Sequence, residues 1–117
     1  SFNISKTFTF SAIICIFFDD DGSWLEAYSY CQKYYTDLVS ISSDEENEEV
    51  RIHARGSQVW IGLINDPWKW SNGENSTFRL KYMYDGKCMA MCYSSASRWH
   101  SLSCDTLNAF FCCKGKK

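Results

Sequence analysis

The sequence has little of what marks several large classes of protein. Its formal net charge is only −2, so nothing favours a nucleic acid or an anionic membrane surface as partner. It has no internal repeat, low-complexity segment or linker, and its 117 residues match one domain with a single hydrophobic core. The unbroken apolar run at residues 12–18 is too short to span a bilayer.

Histidine is also scarce, which weakens the case for a metal centre and for catalysis. Only His53 and His100 occur, far apart, and the sequence has no CxxC or HxxxH unit of the kind that zinc sites usually use. A catalytic nucleophile needs a base beside it. Each histidine has a structural explanation instead, one on a predicted helix and the other in a predicted loop. We therefore expect a binding protein, not an enzyme.

Seven cysteines in so short a chain predict a disulfide-stapled domain in an oxidising compartment. Two glycosylation sequons, at Asn3 and Asn75, agree with a secreted protein or one on the extracellular face of the cell surface. The odd count leaves at least one cysteine without a partner inside the chain. That cysteine is either a free thiol or a link to a second chain, and the sequence leaves both open.

The first residues admit two interpretations. The apolar run at residues 12–18 follows Lys6, as in a secretory signal, but it lacks an initiating Met and a small-residue cleavage site. Three aspartates follow it, at residues 19–21. We predict a buried strand at residues 12–18 and a single domain over residues 1–117, with residues 1–11 as a flexible or leader-derived extension.

Two helices are indicated by their first turns. Ser23 and Glu26 form a capping box, in which each side chain satisfies a free amide of the first turn, and Ser43 with Glu46 repeats the pattern. Residues 24, 27, 28, 31 and 35 then form one apolar face of the first helix. This spacing turns Cys31 toward the core.

The second half of the chain is typical of strands and turns. Strands are predicted at residues 59–63, 88–93 and 109–113, with a short one at residues 38–41 between the helices. Turn residues flank Trp68 and Trp70. Because the helices come first and most strands follow, the order favours an α+β domain.

Six motifs in this order resemble the C-type lectin-like domain family. They are the strand ending at Phe18, the helix at residues 23–31, the link at residues 37–41, the WIGL run at residues 60–63, the hairpin at residues 68–73 and the cysteine frame. The resemblance implies two helices flanking a small, mostly antiparallel sheet. It also implies the disulfides Cys31–Cys112 and Cys88–Cys104. Since the family's first and last strands pair, we hypothesise a further bridge, Cys15–Cys113, which leaves Cys92 as the odd cysteine.

Sugar-binding members of that family hold calcium through an EPN or QPD triplet, an acid before the third frame cysteine and a Trp-Asn-Asp run. Here residues 79–87 contain neither triplet, Lys87 precedes Cys88, and Trp99 is followed by His100 and Ser101. We therefore expect no calcium and no other cofactor. Weak candidate metal ligands remain, although turn formation explains them better: Asn72, Glu74, Asn75 and Asp85.

The segment that holds the ligand loop in the family supplies the candidate ligand-binding residues. Its large side chains beside lysines resemble a protein-contact patch, with core packing as an equal alternative. The candidates are Lys81, Tyr82, Met83, Tyr84, Asp85, Lys87, Arg98, Trp99 and His100.

The function expected from the resemblance is recognition of a protein or glycan ligand outside the cell, with the calcium-dependent sugar site lost. Three alternatives stay open: a lectin with a non-standard site, an ice-binding protein like the type II antifreeze proteins, and a dimer subunit joined through the odd cysteine. No nucleic acid partner and no membrane insertion within this chain are expected.

Overall fold

The computed structural model describes residues 4–10, 12–64, 69–70, 81–82, 88–92 and 98–114. These residues form two helices, α1 (Trp24–Tyr34) and α2 (Asp44–Ala54). They also form nine strands: β1 (Ile4–Phe10), β2 (Ile13–Gly22), β3 (Asp37–Leu38), β4 (Val59–Ile64), β5 (Lys69–Trp70), β6 (Lys81–Tyr82), β7 (Cys88–Cys92), β8 (Arg98–Leu102) and β9 (Asn108–Lys114). Within these ranges, neither 11-residue helix is long and apolar enough to cross a membrane.

The strands form one sheet in the order β1-β2-β9-β4-β7-β8-β6, with β3 on β9 and β5 on β4. The pairs β4–β9 and β6–β8 are parallel, and the other described pairs are antiparallel. The expected α+β class and mostly antiparallel sheet are confirmed. Strand β4 pairs with β5 across the predicted hairpin, through Leu63 with Trp70 and Ile64 with Lys69.

Strand β1 lies where we expected a flexible or leader-derived extension. It pairs with β2 from Ile4 to Phe10, and the ring of Phe8 stacks on that of His53 with centroids 4.1 Å apart. Ala12, at φ 66°, lies between the paired residues Phe10 and Ile13. A turn with positive φ ordinarily carries Gly or Asn. Here the residue with positive φ is Ala12, so the sequence carries no signal for the hairpin.

The first-turn prediction holds fully for α1 and in part for α2. In α1 the Glu26 amide donates to Ser23 Oγ at 3.2 Å, and the Ser23 amide donates to Glu26 Oε1 at 2.8 Å. In α2 the Glu46 amide donates to Ser43 Oγ, but the Glu46 carboxylate accepts from the amide and hydroxyl of Ser42. The second cap therefore reaches one residue further back than a capping box.

The core has two parts, because neighbouring residues of each strand face opposite sides of the sheet. One part includes Phe17, Phe111 and Trp99 and packs under α2. The other includes Phe18, Phe110 and Trp60 and packs under α1. Between residues 38 and 41, only Leu38 belongs to a strand, although Val39 and Ile41 are buried.

Three disulfides lie within the two parts of the core: Cys15–Cys113 in the part under α2, and Cys31–Cys112 and Cys88–Cys104 in the part under α1. They are the two pairs implied by the family resemblance and the further bridge that we hypothesised. Two of them converge on β9, at its neighbouring residues Cys112 and Cys113. The side chain of Cys92 lies outside the described part of the chain.

Candidate ligand-binding edge of the sheet

The backbone brings five candidate ligand residues together where the sheet order ends, at β6 and β8. These strands run parallel, with Lys81 paired with Trp99 and Tyr82 paired with His100. Strand β8 is paired on its other side with β7, where His100 lies opposite Ala90. We call residues 81–82 and 98–102 the β6–β8 edge. The structure describes the backbone, and not the side chains, of Lys81, Tyr82 and Arg98.

Trp99 is part of the core. Its side chain has no exposed surface, and its indole Nε1 donates a hydrogen bond to Asn47 Oδ1 of α2 at 3.0 Å. A buried indole N–H needs such an acceptor. This placement leaves Trp99 no surface to offer a ligand from solvent, unlike the role for which the sequence made it a candidate.

His100, the next residue along β8, keeps partial exposure because it faces the other side of the sheet. Ser101 again turns inward and is 1 % exposed. The two residues after Trp99, which the family resemblance aligns with the Asn and Asp of sugar-binding members, are thus a half-buried imidazole and a buried hydroxyl.

The other candidates lie outside the described residues: Met83, Tyr84, Asp85 and Lys87 for ligand binding, Asn72, Glu74, Asn75 and Asp85 for a metal, and Asn3 and Asn75 for glycosylation. Within the described part of this edge and of its neighbour β7, the sequence has no Asp or Glu. In the residues that the structure describes, no group of three or more His, Cys, Asp and Glu side chains is placed to hold a metal ion.

Sequence analysis missed the contribution of Asn47 to the position of β8. It lies among the acids that begin α2, yet it is 3 % exposed. Its signal is the spacing of Asn47, Val50 and Ala54, which places the amide on the same buried stripe of α2 as the two apolar residues.

A model of the Lectin C-type domain family matches residues 20–114. Among curated proteins, rat asialoglycoprotein receptor 2 is 42% identical over 62 residues, which cover 50% of this chain and 21% of that protein. The mouse NKG2-D type II integral membrane protein is 25% identical over 105 residues, covering 84% of this chain and 44% of that protein. The chain thus spans less than half the length of these relatives.

Among solved structures, a calcium-independent type II antifreeze protein has a TM-score of 0.82 at 22% identity, covering 93% of this chain and 91% of that one. The calcium-free form of a Ca²⁺-dependent type II antifreeze protein has a TM-score of 0.86 at 20% identity, covering 95% and 98%. At such identities the likeness shows the fold alone. The fold is shared by a calcium-independent protein and by a calcium-dependent one. The family match over residues 20–114, the motif order and the fold together make this chain a member of the C-type lectin domain family.

Proposed function

We propose that this chain is an extracellular recognition domain that binds a protein or glycan ligand without calcium. The observation that carries the proposal is strand β8. There Trp99 is fixed in the core, and His100 and Ser101 follow it where calcium-binding members of the family have an amide and a carboxylate. The matching relatives include an asialoglycoprotein receptor and a type II integral membrane protein, which supports a binding role over catalysis.

The charge of the residues around the edge supports the loss of calcium. Calcium takes six to eight hard oxygen ligands, several of them carboxylates. Here Gly86 and Lys87 precede Cys88, so an ammonium group occupies the stretch in which the family places an acid. An imidazole and a neutral hydroxyl on β8 do not replace that negative charge.

Calorimetry with calcium chloride tests the metal part of the proposal. We expect no heat of binding at up to about 10 mM calcium, since extracellular calcium modules bind in the 0.1–1 mM range. The matched variant is Lys87→Glu with His100→Asn and Ser101→Asp, which restores two of the three missing ligand groups and leaves only the triplet absent. Calcium uptake by the unaltered chain, together with glycan binding that EDTA abolishes, would overturn the proposal.

The same sample separates the alternative functions. Thermal hysteresis at millimolar protein would identify an ice-binding protein, and a band of twice the mass on a non-reducing gel would identify a disulfide-linked dimer. A glycan array probed with and without EDTA separates a lectin with a non-standard site from a receptor for proteins. We expect no hysteresis. An ice-binding face should be flat and weakly polar, whereas Lys81, Lys87 and Arg98 add charge to the candidate ligand-binding residues.

A further inference from the structure

A second surface of the molecule, separate from the β6–β8 edge, carries a cluster of aromatic and cationic side chains. It lies where α1 ends and where β2 pairs with the end of β9. We call it the tyrosine patch, and its members are Ile14, Tyr30, Lys33, Tyr34, Tyr35 and Lys114.

The rings of the patch are held in place from below by the core. Tyr30 packs edge-on against the buried Phe18, with ring centroids 5.2 Å apart. The ring of Tyr34 lies 4.8 Å from that of Tyr30 and is the outermost, with 57% of the residue exposed. Burial, and then the neighbouring Tyr35 and Tyr34, raise the pKa of the Tyr30 phenol. The Tyr30 hydroxyl therefore keeps its proton at neutral pH.

Two ammonium groups flank these rings. Lys33 Nζ lies 5.2 Å from the ring centroid of Tyr34, and Lys114 Nζ lies 6.0 Å from that of Tyr35. Among the residues that the structure describes, neither lysine has an ion-pair partner within 4.0 Å. Both charges are thus available to a ligand, in a chain whose net charge is −2.

An apolar side chain continues the patch onto the sheet. Ile14 of β2 lies opposite Lys114 of β9 and is 39% exposed, although it stands on the same face of β2 as the buried Phe18. Tyr34 and Ile14 each leave apolar surface in water that nothing in the described fold covers. Such rings and aliphatic groups, rimmed by charge, are the composition of a protein-binding surface.

We propose that the tyrosine patch is a docking site for an acidic, apolar-containing segment of a protein partner. The ammonium groups of Lys33 and Lys114 would take its carboxylates, and Tyr34 and Ile14 its apolar side chains. A sulfated polysaccharide fits less well. Its negative charges are dense and would need more than two cations, and it has no apolar group to pack against Ile14. The site is independent of the proposed function, since β9 and β8 are three strand spacings apart, about 14 Å.

The test uses a synthetic 12-residue peptide of alternating Glu and Leu, titrated into the isotopically labelled chain and followed by NMR. We expect saturable shifts at Tyr30, Tyr34 and Tyr35 that weaken as salt screens the carboxylates. The two comparison ligands are the same peptide with Gln for Glu and a heparin octasaccharide. The patch variants are Tyr34→Ala and the charge reversal Lys33→Glu with Lys114→Glu.

Leu25→Ala is the matched control variant, because Leu25 is an equally exposed apolar residue of α1 (64% exposed) on another side of the helix. We expect each patch variant to weaken the acidic peptide about tenfold, the loss of one interface anchor, and the control to change it less than twofold. Equal binding of the Gln peptide, preference for heparin, shifts that map elsewhere or no binding below about 1 mM, the weak end of the usual affinity scale, would each overturn the proposal.

Discussion

At the scale of single residues, buried polar groups position the aromatic core. Trp24 Nε1 donates to the Ile61 carbonyl at 2.9 Å, and Trp60 Nε1 donates to the Gly22 carbonyl at 2.8 Å. Trp99 is the exception, because its acceptor is a side chain, that of Asn47. A buried donor without an acceptor costs about 1–3 kcal/mol. The contact with Asn47 therefore joins β8 to α2 through a buried hydrogen bond.

Replacing Asn47 by Ala should lower the free energy of unfolding by about 1–3 kcal/mol, since the indole N–H of Trp99 loses its acceptor in a site closed to water. Urea denaturation under non-reducing conditions measures the change. Glu45→Ala, an exposed position of the same helix, is the control and should change stability by less than about 0.5 kcal/mol. A loss at Asn47 no larger than that of the control would contradict this account.

Glu48 offers a test of surface electrostatics on α2. Hydrogen bonds from Arg51, the shortest 2.9 Å, are the main cause that holds the pKa of the Glu48 carboxyl below its ordinary value. Because the folded pKa is the lower one, the pair stabilises the fold above the unfolded pKa and loses this effect as pH falls through the folded pKa.

Arg51→Gln should therefore raise the pKa of Glu48 toward that of a free glutamate, which an NMR titration of its side-chain carboxyl measures. Arg55→Gln removes an equal charge just past the helix end and should leave the Glu48 midpoint where it is. An unchanged midpoint in Arg51→Gln would show that the arginine is not the cause. The effect on stability should be small, since exposed ion pairs contribute little.

At the scale of elements, the caps explain why the helices begin where they do. Both N-terminal serines and their glutamates could be predicted from the sequence, because a cap is a local pattern of four residues. The detail that failed, the reach of Glu46 to Ser42, depends on how the preceding chain leaves the core. Strand β1 could not be predicted, since its hairpin has no glycine or asparagine and its partner strand reads as apolar on both faces.

Ser23→Ala tests the cap of α1 against Ser29→Ala, the same substitution at an exposed position inside the same helix. Loss of the cap should lower the unfolding free energy by about 1 kcal/mol. The interior change should leave stability equal or slightly higher, because alanine has the better helix propensity. Thermal or urea unfolding distinguishes the two, and equal effects would mean that the capping box contributes nothing measurable.

At the scale of the whole molecule, two disulfides are nested. Cys31–Cys112 closes 81 residues and Cys15–Cys113 closes 98, but only residues 15–31 and 112–113 lie between the two bonds. In the chain-entropy model a bond of 81 or 98 residues is worth about 4.5 kcal/mol alone. With the other bond intact, each closes a further loop of only about 17 residues, worth about 3 kcal/mol.

Removing either pair alone, as Cys15→Ala with Cys113→Ala or Cys31→Ala with Cys112→Ala, should cost about 3 kcal/mol. Removing both should cost about 7.5 kcal/mol, about 1.5 kcal/mol more than the sum, because each bond masks part of the other's effect. Urea unfolding of the three proteins measures this coupling. If the protein without both disulfides is unfolded, the two proteins that lack one disulfide still test the model. A loss of about 4.5 kcal/mol in the free energy of unfolding for each would contradict nesting.

The pair Cys88–Cys104 provides the control for that experiment. It closes 16 residues, and with Cys31–Cys112 intact it shares no loop with Cys15–Cys113. Removing both of these pairs should therefore cost the sum of the two single losses. Coupling of similar size in this control would point to packing changes instead of chain entropy.

The sequence by itself determined the family, the two helices with their first turns, the class of fold and the oxidising compartment, because each depends on a local pattern or on composition. The tertiary structure decided which aromatic residues stay accessible and which fill the core. Trp99 and His100 are neighbours in sequence, yet the sheet turns one fully into the core and leaves the other partly exposed. The tyrosine patch likewise exists only in three dimensions, since Ile14 is paired with Lys114 across β2 and β9, and Lys114 lies over the ring of Tyr35 just past α1.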